Sequence, residues 1–237
     1  FAASAGQWLQ QVALSWLIFD LTGSPVQLGA VNGVRLVPFL FAGPLGGAAA
    51  DRFDRRMLLV FSHLFLAVTG FIFAIDIAVG MLEVWHIYVF TLVGGFGFTF
   101  GNPIRQSLIP QLVPPGSLMN AIALASAAFN VSRAIGPAVA GLLIATVGSA
   151  FNFFIQAGLY VVVVVFLMQI REFGDQDEST KGQIDDSLWR KLAEGIHYVR
   201  GEQTVLLLLL LTLVPSLLLI PYTAMVPVFA EDVFDVG

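Results

Sequence analysis

Long uncharged apolar runs, broken by single charges, glycines and prolines, dominate the chain. Residues 57 to 75, 84 to 104, 106 to 132, 134 to 170 and 203 to 230 contain no Asp, Glu, Lys or Arg. Residues 21 to 34 and 36 to 50 are separated only by Arg35. The runs are continuous rather than alternating, which excludes barrel strands. They predict helices of about 20 residues, the length that crosses a hydrocarbon core about 30 Å thick. The predicted spans are 1–19, 26–47, 57–79, 84–104, 118–147, 150–170 and 204–224. The stretch from 134 to 170 is too long for one crossing, and Gly148-Ser149 supplies the break. The fifth span is itself overlong and is expected to begin inside its loop.

Composition agrees with a membrane protein and removes other classes. Of 237 residues, 57% are apolar and 11% charged, against roughly 25% charged in a soluble domain. The net charge of −5 argues against a nucleic-acid partner. There is no cysteine, hence no disulfide framework, thiolate metal site or cysteine nucleophile. Residue 1 is Phe, and the first apolar run is already under way there. The expectation is a piece of a longer protein that starts inside its first span.

Charge asymmetry orients the spans. The loops at 50–56, 105–117 and 171–203 hold Arg52, Arg55, Arg56, Arg105, Arg171, Lys181, Arg190, Lys191 and Arg200, which is nine of the 11 basic residues. The opposite loops hold none, so the first set is cytoplasmic. The last of these loops opens on a polar, acidic linker. It continues into an expected amphipathic surface helix, with Leu188, Leu192, Ile196 and Val199 at helical spacing.

The loop after the second span reads Gly47-Ala-Ala-Ala-Asp51-Arg52-Phe53-Asp54-Arg55-Arg56. Small residues at a helix end allow close backbone approach. An aspartate there can face a neighbouring helix N-terminus, and the arginines can pair with it or with lipid phosphate. The fifth span carries Asn130-Val-Ser-Arg133-Ala-Ile-Gly136-Pro137-Ala-Val-Ala-Gly141, with Ala128, Ser132, Gly136 and Ala140 as a stripe of small residues. Gly94-Gly95-Phe-Gly97 with Gly101 lacks dinucleotide-loop spacing and reads as a packing face.

The first of these segments resembles the signature loop of the major facilitator superfamily, G-x-x-x-D-R-x-G-R-R/K. Gly47, Asp51, Arg52, Arg55 and Arg56 match, and Asp54 stands where the family usually has Gly, a position suited to a left-handed turn. The second resembles the fifth-helix motif of the superfamily's exporters through Gly136, Pro137 and Gly141. The order of motifs along nearly the whole chain is similar to the enterobactin-exporter-like branch, also called transmembrane secretion effectors. The resemblance implies an all-α polytopic fold with a six-helix N-terminal bundle over 1–170, a cytoplasmic linker over 171–203, and the first helix of a second bundle over 204–237. It implies a cytoplasmic gate at the signature loop, export by alternating access, proton antiport and a location in the cell membrane.

An internal repeat points the same way. Asn32-Gly-Val-Arg35 precedes Pro38 in the second span, and Asn130-Val-Ser-Arg133 precedes Pro137 in the fifth. In a three-plus-three inverted repeat these two helices are equivalent. Arg35 lies about 14 Å from the outer end of its span and Arg133 about 22 Å from the inner end of its own, at about 1.5 Å per residue. A charge at such depth costs at least about 2.5 kcal/mol and faces water or a partner. Arg35 and Arg133 are therefore the candidate cavity residues for an anionic cargo, with Asn32 and Asn130 beside them and Gln7 and Gln11 on the first span. Asp76 is the candidate for proton coupling, since His63, His86 and His197 form no cluster in the sequence.

No nucleotide-hydrolysis or hydrolase motif occurs, and the reading assigns no catalytic residue, metal or cofactor. The expected partners are a small-molecule substrate and membrane lipid, with the transporter acting as a monomer. Two other functions fit the same residues: a lipid or lysophospholipid translocase, and a non-transporting membrane scaffold or sensor.

Overall fold

The computed structural model describes residues 1–52, 54–169, 205–208 and 211. The chain forms two compact units, Phe1–Asp175 and Gln176–Gly237. The first unit is a bundle of six helices: α1 (Ala2–Thr22), α2 (Pro25–Arg52), α3 (Arg55–Val79), α4 (Val84–Leu112), α5 (Leu118–Val147) and α6 (Ser149–Gln169). Four of them, α3 to α6, are long and apolar enough to cross a membrane. In the second unit, residues 205–208 are helical. The expected surface helix and most of the seventh span lie outside the described residues.

Helix ends follow local chemistry. Gly80 closes α3 in the left-handed conformation, φ 75°, and its N–H bonds the carbonyls of Asp76 and Ile77. Gly148, φ 87°, separates α5 from α6 at the expected break. Two inner loops are shorter than the charge pattern suggested. Residues 50–52 are the last turn of α2, and 105–112 are the last turns of α4. The latter helix ends only where Pro114 forces Val113 into extended backbone, φ −132° and ψ 148°. The fifth helix likewise starts at Leu118, directly after a 3-10 turn at Pro115–Ser117, rather than inside a loop. Asp54 does not take up a left-handed turn. Its φ is −57° and its Oδ1 accepts from the Met57 N–H at 3.0 Å, so the residue that departs from the family pattern is the N-cap of α3.

Glycines of α4 admit three neighbouring helices. A Cβ at Gly95 would stand 2.8 Å from the Pro38 ring of α2, and one at Gly97 would stand 2.7 Å from Leu66 of α3. One at Gly101 would meet Ser62 Oγ of α3 at 3.0 Å, and one at Gly94 the Gln10 amide of α1 at 3.4 Å. This is the packing face expected from the sequence. Towards the outer ends, Phe73, Phe90 and Phe153 knit α3, α4 and α6, with Phe73 stacked on Phe90 at 4.1 Å and edge-on to Phe153 at 4.9 Å.

Candidate transport site and its supporting core

The fifth helix lies on α1 through its stripe of small residues. Ser132, Gly136 and Ala140 are buried, and a Cβ on Gly136 would come within 2.7 Å of Trp8 Cβ. Trp8 also tilts against Phe129 at 6.2 Å. The rest of α5 faces outward: Asn130, Arg133, Pro137 and Gly141 are exposed. The helix runs unbroken through Pro137, and nothing lies within 4 Å of a Cβ built on Gly141. Arg133 stands near the middle of the 30-residue helix with its side chain exposed.

Arg35 has a different environment. It is partly buried on α2, with its guanidinium carbon 5.8 Å from the centre of the Phe98 ring on α4, a cation–π arrangement. The structure does not bring Arg35 and Arg133 together: α2 packs on α4, and α5 on α1. The two asparagines do share a role. Asn32 Nδ2 donates to the Leu28 carbonyl and Asn130 Nδ2 to the Ser126 carbonyl, both at 2.9 Å. Each thus spends an amide proton on its own helix one turn back, rather than serving only its arginine.

The glutamines of α1 divide. Gln7 is partly buried and lines a small cavity with α3, α4 and α6. Gln11, one turn on, is also partly buried. Gln10 is buried and accepts from Gln156 Nε2 at 2.9 Å.

The signature-loop residues act partly within this unit. Gly47, Asp51 and Arg52 belong to the last turns of α2, and Arg55 and Arg56 open α3. Arg56 ties the start of α3 to the end of α6: its Nε donates to the Leu167 carbonyl at 2.8 Å and its Nη2 to the Met168 carbonyl at 2.6 Å. Those are unsatisfied carbonyls of the last turn of α6, which a guanidinium fork suits.

Asp76 has a partner that the sequence reading did not supply. His86 Nδ1 lies 2.7 Å from Asp76 Oδ2, tying the outer end of α3 to the first turn of α4. The same turn holds Trp85, whose Nε1 donates to Glu83 Oε2 at 2.8 Å, and Tyr88, whose hydroxyl donates to Gln27 Oε1 of α2.

The sequence reading also missed a polar core where α1, α3, α4 and α6 meet. Asn152, Gln156 and Tyr160 are fully buried on one face of α6. Asn152 Nδ2 donates to the Leu9 carbonyl at 3.2 Å. Tyr160 stands edge-on to His63 at 5.9 Å and to Phe98 at 6.2 Å. Their spacing of four residues was a visible signal: three polar residues in register along an otherwise apolar helix.

The bundle of long apolar helices is that of a polytopic membrane protein. The model of the transmembrane secretion effector family matches residues 1–237, and the chain belongs to this family of major facilitator transporters. It is 28% identical to the staphyloferrin A transporter of Staphylococcus aureus over 236 residues, covering 99% of this chain and 58% of that protein. It is 24% identical to macrolide efflux protein A of Streptococcus pyogenes, covering 95% of this chain and 55% of that protein. The multidrug efflux pump Tap of Mycolicibacterium fortuitum is 24% identical, covering 92% and 54%. The chain thus spans about half the length of the curated relatives it matches. No solved structure matches it closely enough to count as a relative. The chain is a multi-pass protein of the cell membrane, from a family of transporters.

Proposed function

We propose that this bundle is the N-terminal half of a secondary transporter that exports a small molecule by alternating access. The observation that carries the reading is Arg133, an exposed arginine halfway along a membrane-length helix. Lipid is a poor neighbour for such a charge, whereas an aqueous cavity between two bundles is a good one. The exposed side of α5 that carries Asn130 and Arg133 is then the wall of that cavity, and an anionic group of the cargo is the counter-ion. The names of the relatives, a siderophore transporter and efflux proteins for macrolides and drugs, support a small organic cargo. Arg35, Asn32, Gln7 and Gln11 serve the same path from α2 and α1, and residues 204–237 begin the second bundle. Coupling to protons runs through Asp76, which is hydrogen-bonded to His86.

Accessibility tests this directly, and residues 1–237 carry no cysteine that would need removing. In the full-length protein in native membranes, Asn130→Cys is expected to react with a membrane-impermeant maleimide and to be protected by cargo. Leu142→Cys, on another exposed side of the same helix that this reading assigns to lipid, is expected to stay unlabelled. Equal silence of both positions would place α5 in lipid and refute the cavity. Asp76→Asn is expected to leave binding intact and to remove the response of transport to an imposed pH gradient.

A further inference from the structure

The outer halves of α3 and α4 border an open groove of about 310 Å³. The stacked rings of Phe73 and Phe90 form its floor, and Ile72, Val89 and Val93 line its length. Thr69 stands at the inner end, with its hydroxyl spent on the Phe65 carbonyl of its own helix at 2.9 Å. Along most of its length the groove therefore suits an apolar chain.

Its outer end is polar. Helix α3 has 25 residues, about 37 Å at about 1.5 Å per residue, and so exceeds a hydrocarbon core about 30 Å thick. Its last turn, which begins at Asp76, reaches the level of lipid head groups. There Asp76, His86 and Trp85 line the groove. The Trp85 ring stands at a steep angle to His86, centroids 4.0 Å apart, and its Nε1 donates to Glu83 Oε2 at 2.8 Å. An indole fixed in this way is a platform for a cation. Asp76 Oδ2 is bonded to His86 Nδ1 at 2.7 Å, and the carboxylate has no other partner among the described residues, so Oδ1 is an open acceptor.

Charge selects the head group. Residues 76–93 hold two carboxylates, Asp76 and Glu83, one histidine and no Lys or Arg. Their net charge is negative in either protonation state of His86. That field suits a cation and repels an anionic lipid; a second copy of the chain would set its own acids against these. A primary ammonium brings three donors for Asp76 Oδ1 and its surroundings, whereas a quaternary one brings none.

We propose that this groove binds an outer-leaflet phospholipid whose head group ends in a primary ammonium. One acyl chain lies between α3 and α4, the ammonium donates to Asp76 beside the face of Trp85, and the phosphate stays in the aqueous head-group layer. The site is built from α3 and α4 alone and does not rest on the cargo reading. It shares Asp76 with the proposed proton coupling, so the test reads lipid binding rather than transport.

Purified, delipidated full-length transporter is titrated with phosphatidylethanolamine, phosphatidylcholine or phosphatidylglycerol of identical acyl chains, and bound lipid is counted by native mass spectrometry. Phosphatidylethanolamine is expected to fill one site about tenfold more tightly than the other two, the difference expected for a hydrogen bond to a charged partner. Asp76→Asn, which keeps the side-chain shape, and Trp85→Leu, at an exposed position, are each expected to remove that preference with the melting temperature retained. Val89→Trp, also at an exposed position, fills the groove and is expected to weaken phosphatidylethanolamine binding while both head-group residues stay in place. Equal binding of the three lipids by the unaltered protein, or a preference kept in both Asp76→Asn and Trp85→Leu, would overturn the proposal. A cryo-EM map in phosphatidylethanolamine nanodiscs is expected to show chain-like density between α3 and α4; a protein segment seated there instead would overturn it as well.

Discussion

A single methyl group separates two glycines that share one motif. Gly136→Ala would drive its Cβ to 2.7 Å from Trp8 Cβ, an atom on the rigid stem of its side chain. Overpacking of this kind costs about 1–3 kcal/mol. Gly141→Ala meets nothing within 4 Å, and alanine is the better helix former by about 0.5–1 kcal/mol. Thermal unfolding of the full-length protein in detergent should therefore fall for the first variant and hold or rise slightly for the second. The Gln10–Gln156 pair gives a second contrast. Gln156→Leu alone strands Gln10 in a buried site and should cost about 1–3 kcal/mol, while the double replacement by leucine should recover most of that loss. Nothing local in the sequence gives the partner of Gln10, which sits 146 residues away. That distance is why the core around Tyr160 was not legible, although the four-residue spacing of Asn152, Gln156 and Tyr160 announced a buried polar face.

Elements were far more legible than contacts. Uncharged runs located all six helices of the first unit, because in a bilayer a charge marks where a span ends and helical hydrogen bonding is obligatory within it. The errors fell where charge and helix part company, as at Arg105, which the charge pattern placed in a loop and the structure places inside α4. The signature loop shows the same separation of pattern from contact. Its spacing was readable, yet the bonding of Arg56 to the end of α6 was not, since it needs two helices that are adjacent only in space. Arg56→Ala should loosen that junction and speed proteolytic cleavage just after Gln169 in inside-out vesicles. Arg56→Lys should recover only part of the protection, because an ammonium cannot make both bonds of the fork. Equal cleavage rates in all three proteins would contradict this role.

Among the described residues of the six helices, Arg133 is an arginine exposed near the middle of a membrane-length helix. A family of membrane transporters gives that charge a use. On the proposed reading, an arginine exposed on α5 forms part of the wall of a path through the protein. The direct test is transport by the full-length protein in proteoliposomes under an imposed pH gradient, with macrolide, siderophore and dye cargoes, comparing the unaltered protein with Arg133→Gln and Arg35→Gln. The account predicts gradient-driven export of at least one anionic cargo, lost in both variants while their melting temperatures are retained. Unchanged transport by both variants would contradict it.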